Sequence, residues 1–163
     1  MEHTGPDAHP WLVALEQSGL GVAMRQSLLL YPAVEILHIF GFVLLVGSIV
    51  GFDLRMLGLA ARLPVAPFAR HAVPLAMLGF CLAAPMGLLL FATEATSIAA
   101  NTAFRFKLTC IAIGLLNAAA FHLGPWRSLL QRGEVTMAAK LGAVVSLLAW
   151  SGAIIGGRLI AYL

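Results

Sequence analysis

From Leu28 to Phe52 the chain carries a single charged side chain, Glu35, and a single histidine, His38, one helical turn further on. A run that long and that apolar can cross a bilayer, because a helix of ~20 residues spans the hydrocarbon and satisfies its own backbone polar groups. An ionisable side chain at membrane depth is costly, so it is turned toward the protein interior and given a partner or a task. Whatever this chain folds into must therefore sit in a membrane and house Glu35 and His38 away from lipid.

The rest of the sequence repeats the pattern. Cut at charges and at Pro/Gly punctuation, apolar runs emerge over about 31–52, 72–92, 104–123 and 139–162. The hydrophobic fraction is 61% and the charged fraction 10%, with a mean hydropathy of +0.95. Soluble domains hold roughly 45–50% apolar and about 25% charged residues. The expected fold is all-α: an integral membrane four-helix bundle forming one domain over 1–163. Residues 10–27 place Trp11, Leu12, Leu15, Val22 and Met24 among Glu16, Gln17 and Arg25, which predicts an amphipathic helix lying in the membrane interface. Glu2 and Asp7 stand where a secretory signal would carry basic residues, so no cleavable signal is expected. Pro32 suits the first turn of span one, and Pro85 should kink span two.

Basic residues set the expected orientation. Arg55, Arg62, Arg70, Arg127, Arg132 and Lys140 fall in the loops after spans one and three, against Arg25, Arg105, Lys107 and Arg158 on the other side. The positive-inside rule then puts both termini outside the cytoplasm. A pI near 9.3 reflects those loops and suits lipid headgroups rather than nucleic acid. Gly47-x-x-x-Gly51 and Gly152-x-x-x-Gly156 allow close helix approach, so spans one and four are expected to pack together. Cys81 and Cys110 differ in depth by several ångströms, which argues against a disulfide.

Threading the spans sorts the polar side chains into two layers. Glu35, His38, Glu94, Lys107 and Arg158 fall near the outer face, and Asp53, Arg55, His71, His122 and Arg127 near the cytoplasmic face. The outer layer could neutralise itself as a buried polar network of Glu35, Glu94, Lys107 and Arg158.

Three histidines are candidate haem ligands: His38, His71 and His122. His122 follows Gly114, Ala118 and Ala119 on one helical face, a groove that could admit a flat macrocycle or simply a neighbouring helix. His71 could equally be an interfacial residue facing headgroups. Counted at ~1.5 Å per residue, His38 lies about 9 Å into the membrane and His122 about 27 Å, so the two cannot flank one iron. His71 and His122 match in depth; His38 would need another partner, such as Met86. His3 and His9 fall in a terminal segment expected to be mobile, which counts against them as ligands. Glu35-x-x-His38 has the spacing of a di-iron bundle pair, but such sites need a second pair and further carboxylates. No zinc-type metal spacing, phosphate loop or Ser/His/Asp set is present, and no stand-alone enzyme is expected.

The run Glu35-x-x-His38, Gly47, Asp53-x-Arg55, Gly87 to Phe91, Glu94-Ala95, Asn101-x-x-Phe104-x-x-Lys107, Asn117, Phe121-His122 and Gly157-Arg158 to Tyr162 resembles a family of small four-helix bacterial inner-membrane proteins of unassigned function. In general plan it is also similar to the membrane part of copper-resistance D proteins and to small b-type cytochromes. The resemblance implies an inner-membrane location and that Glu35, His38, Lys107, His122 and Arg158 belong to the family pattern, with His71 outside it.

Three functions fit these residues. A haem b electron carrier between the quinone pool and a redox partner is favoured, because a cofactor would supply chemistry that the side chains lack. A proton or metal-ion transporter would use the Glu35/His38 layer. A non-catalytic subunit or anchor of a larger complex would use the polar layers only to lock the bundle.

Overall fold

The computed structural model describes residues 9–163; His3, Glu2 and Asp7 lie outside them. Four helices are long and apolar enough to cross a membrane: α3 (Leu30–Met56), α4 (Val65–Phe91), α6 (Thr102–Leu123) and α8 (Met137–Leu159). Four shorter ones complete the described residues: α1 (Pro10–Glu16), α2 (Gly19–Gln26), α5 (Ala95–Ala100) and α7 (Trp126–Arg132). The chain is a multi-pass membrane protein built as an all-α bundle, whose long helices contact lipid along their outer faces.

Both α3 and α4 hold 27 residues, about 40 Å at 1.5 Å per residue, whereas hydrocarbon is only ~30 Å thick. They outrun the apolar stretches because a helix continues as long as its backbone bonds do. Span two accordingly begins at Val65 rather than near 72, and runs through Pro74 and Pro85. Its first turns carry Arg70 and His71, and the last turn of α3 carries Asp53 and Arg55.

The bundle is two hairpins. α3 packs on α4, α6 packs on α8, and α3 and α8 join the pairs. Residues 57–64 close the first hairpin: Gly58 and Ala60 take positive φ, and Arg55 donates to the carbonyls of Leu63 (2.7 Å) and Ala61 (3.1 Å). In the second, α7 buries Leu129 under the bundle and ends at Gly133, whose φ of 68° is the left-handed conformation a helix stop favours. We call this end the hairpin end, and the opposite one, where α2, α5 and residues 160–163 gather, the terminal end.

Small residues set the closest approach, but not through the expected pair of glycine motifs. Gly41 on α3 lies so near α4 that a methyl there would meet Ala83 N at 2.6 Å and Gly79 O at 2.9 Å. Gly152 and Gly156 receive α6, where a methyl would strike Cys110 Sγ at 2.7 Å and Phe106 at 3.0 Å. Gly47 has nothing within 4 Å. So α3 and α8 do touch, but the two glycine motifs do not meet. Cys110 is buried and Cys81 exposed, both as free thiols.

The N-terminal segment forms two short helices where one was expected. It breaks at Gln17–Ser18 into α1 and α2, with the Ser18 hydroxyl capping α2 by accepting from Gly21 N at 3.2 Å. Leu12 and Met24 are buried against the protein rather than facing lipid. Polar bonds hold the pair in place: Glu16 Oε2 accepts from Thr96 N (3.1 Å) and Thr96 Oγ1 (2.8 Å), and Arg25 donates to the Thr93 carbonyl at 2.7 Å. These helices pack against the terminal end of the bundle.

Candidate functional site

On α3, Tyr31, Glu35, His38 and Phe42 recur at helical spacing and so share a face. That face opens on a cleft of about 890 Å³ at the terminal end. Lys107 reaches it from α6, Arg158 from α8, Glu94 from the turn before α5, and Arg25 from α2. Glu35, His38, Glu94, Lys107 and Arg158, which lie far apart in sequence, thus share one wall. Phe91 and Phe104 stack across the cleft with ring centres 5.2 Å apart, joining α4 to α6.

The arrangement is wetter than a locked network. Glu35, Glu94 and Arg158 are exposed and Lys107 is half-buried. Arg158 donates to the Tyr162 hydroxyl at 2.6 Å and lies 5.0 Å from its ring centre, while Arg25 also donates to the Glu16 carbonyl at 2.8 Å. Two cations are thereby engaged by neutral groups, which leaves the carboxylates facing open space.

His38 is the most constrained of the group. Its Nδ1 lies 2.8 Å from the Ala83 carbonyl oxygen. A carbonyl only accepts, so Nδ1 carries a proton and donates it, which leaves Nε2 as the nitrogen available to another partner. Gly87 makes this seat possible, since a methyl there would sit 2.9 Å from His38 Cε1. This is how proteins orient a histidine that accepts a proton or binds a metal through its other nitrogen.

The other two histidines stand elsewhere. His71 is exposed, bonds back to the Pro67 carbonyl of its own helix at 2.8 Å, and lines neither cavity. His122 bonds likewise to Ala118 O at 2.8 Å, with the Trp126 ring tilted 35° to it at 4.9 Å between centres. The groove below it is already filled at Gly114, where a methyl would meet the Trp150 indole at 3.2 Å. Met86 does not line the cleft beside His38. Three candidate ligands therefore occupy three environments, because depth in the membrane says nothing about which way a side chain points. Among the described residues no three His, Cys, Asp or Glu converge on a metal position.

His122 lines a second cavity, of about 160 Å³, at the hairpin end, together with Asp53, Asn117 and Ser146. An apolar layer separates the two spaces. On α3 the cleft ends at Phe42 and the cavity begins at Leu45, and on α8 the corresponding residues are Ala153 and Trp150, about 4–5 Å of helix in each case. Leu45, Cys110, Trp150 and Ala153 are all buried there.

Sequence reasoning missed Arg25 and Tyr31 as wall residues, and it put Asp53 in a layer without noticing its isolation. The spacing of Tyr31, four residues before Glu35, was a usable signal; for Arg25 there was none, because the fold-back of α2 is a long-range contact. No family model, curated protein or solved structure matches this chain.

Proposed function

We propose that this chain is a proton-handling membrane protein of the transport class, with Glu35 and His38 as the exchanging pair. The observation that carries the reading is the seat of His38, whose open Nε2 belongs to a wall that also bears Glu35. A carboxyl group one turn away can pass a proton to an imidazole whose orientation is already fixed. Charge favours a proton over a metal ion. Arg25, Lys107 and Arg158 outnumber Glu35 and Glu94 on the cleft wall, so a metal cation would meet net repulsion, whereas a proton moves along hydrogen bonds. The second cavity, one helical turn beyond an apolar layer, supports a path that continues toward the other face. With the basic hairpin end taken as cytoplasmic, the cleft opens outward from the bacterial inner membrane that the family resemblance suggests.

The test is proton flux into liposomes holding a pH-sensitive dye, driven by a potassium diffusion potential. Wild-type protein should acidify the lumen well above protein-free vesicles, and Glu35→Gln and His38→Ala should each remove most of that rate while the protein stays folded. Wild-type flux equal to empty vesicles, or an unimpaired Glu35→Gln, would refute the reading and leave the polar wall as a structural feature of a membrane subunit.

The same seat favours a second reading, a haem b held in the cleft by His38 Nε2 with Lys107 and Arg158 toward its propionates. A bound haem would supply one-electron transfer, with quinone as a fitting partner. The histidine pair His71/His122 has no support from the geometry. A reduced-minus-oxidised spectrum decides: a Soret band lost in His38→Ala favours haem, and a flat spectrum from haem-replete cells removes it.

A further inference from the structure

Of the three cations on the wall of the terminal-end cleft, Arg25 and Arg158 donate only to neutral oxygens. Arg25 is held on the carbonyl of Thr93, the residue before Glu94, and so offsets that carboxylate. Lys107 and Arg158 are brought together by α8. The Lys107 stem lies over Gly156 and Gly157, where added methyls would meet its Cβ at 3.1 Å and its Nζ at 3.6 Å, and Arg158 is the next residue. Two like charges held on one turn repel, and more strongly where lipid and protein exclude water. Only Glu35 remains on the wall to set against them, so one positive charge is left over. The donors are there to meet an anion. The Tyr162 hydroxyl takes one N–H of Arg158, whereas a guanidinium carries five and an ammonium three.

The rest of the cleft is apolar, with Phe42, Leu90 and Ile98 on its wall. Phe91 and Phe104, stacked face to face, shut it between α4 and α6. Ile39 of α3 and Ile154 of α8 also line it, yet they are 53% and 44% exposed on helices that face lipid. The cleft therefore opens on the hydrocarbon as well as at the bundle end. Arg158 stands one residue before the end of α8 and Lys107 in the second turn of α6, which is the height of headgroups. From Tyr31 down to Phe42 the wall descends about 16 Å. The volume of about 890 Å³ is that of a site for a sizeable organic ligand.

We propose that this cleft binds one anionic phospholipid of the phosphatidylglycerol class, its phosphate on Lys107 and Arg158 and one acyl chain lying along Phe42 and Phe104. The single negative charge of a phosphodiester matches the positive charge left over on the wall, and the forked N–H groups of arginine suit phosphate oxygens. A zwitterionic headgroup would bring a cation of its own toward Lys107 and Arg158. Basic pockets between spanning helices are a recurrent way of holding anionic lipid. Neither Glu35 nor His38 serves as a ligand, and lipid retention is read without flux, so this proposal and the proton-handling reading can fail separately.

The experiment is native mass spectrometry of the intact, delipidated protein in a neutral detergent, titrated with dioleoylphosphatidylglycerol or dioleoylphosphatidylcholine. Wild type should retain one phosphatidylglycerol per chain along a saturating curve, and phosphatidylcholine at least roughly tenfold more weakly. Lys107→Gln and Arg158→Gln should each weaken phosphatidylglycerol by a similar factor. Arg105→Gln should leave it unchanged, because Arg105 lies off the cleft and donates to the Ala99 carbonyl. Equal retention of the two lipids, or the same loss in Arg105→Gln as in Arg158→Gln, overturns the proposal. Laurate retained where phosphatidylglycerol is not also overturns it, since the ligand is then a free fatty acid, and so does a haem mass on the chain in place of lipid. If the variants fail to fold, the preference of wild type decides, and a ratio near one between the two lipids refutes the site.

Discussion

Gly41→Ala and Gly47→Ala, two substitutions six residues apart on the same helix, should change stability in opposite directions. At Gly41 the added methyl would lie 2.6 Å from Ala83 N and 2.9 Å from Gly79 O, where ordinary contact begins near 3.4 Å. The obstacles are backbone atoms and cannot rotate aside, so α3 and α4 must separate by about 0.8 Å. A gap of ~0.5–1 Å forfeits a quarter to a half of the dispersion energy of the contacts it opens. Overpacked cores lose typically 1–3 kcal/mol, and a rigid obstacle puts Gly41→Ala at the upper end, about 3 kcal/mol. At Gly47 nothing lies within 4 Å. There alanine removes only the helical penalty of glycine, giving between zero and ~1 kcal/mol of stabilisation. The assay is SDS-driven unfolding in mixed micelles, followed by tryptophan fluorescence with Trp150, buried in the mid-bundle core, as the chief reporter. Equal effects for the two variants, or a Gly41→Ala as stable as wild type, would refute the close approach of α3 and α4.

Three further outcomes can be checked. Gly87→Ala should push the His38 ring off the Ala83 carbonyl, since its methyl would lie 2.9 Å from Cε1; ¹⁵N spectra of labelled histidine should then show His38 losing its single Nδ1–H tautomer, and an unchanged spectrum would refute the seat. Asn101→Ala removes the cap of α6, where Oδ1 accepts from Ala103 N and Phe104 N at 2.8 and 3.2 Å, and should cost ~1 kcal/mol in the same micelle titration. Glu16→Ala deletes both bonds from Thr96 and should loosen α1 and α2 by roughly 1–3 kcal/mol, read as faster hydrogen exchange over residues 10–26 with the four long helices unaffected.

Depth was legible because it is linear in residue number. A helix advances a fixed ~1.5 Å per residue, so counting from the span edges placed Glu35, His38, Glu94, Lys107 and Arg158 near one end of the bundle and Asp53 and His122 near the other. Bearing was not legible. His71 and His122 match in depth yet line no common cavity, one exposed on α4 and the other beside Trp126. The Gly47 motif had the right spacing and faces open space, while Gly41, outside any such motif, made the contact.

The amino-acid order by itself determined that four helices cross the membrane and at what height each polar side chain rides, because transfer to hydrocarbon and helical rise are properties of the local chain. Which polar groups meet was decided only when α3 and α4 closed at Gly41 and α6 and α8 at Gly152 and Gly156. Those contacts rotate each helix about its axis, and rotation turned His38 onto the Ala83 carbonyl and left one carboxyl oxygen of Asp53 buried without a hydrogen-bond partner. Azimuth depends on what the neighbouring helix presents, and no segment read alone contains that information.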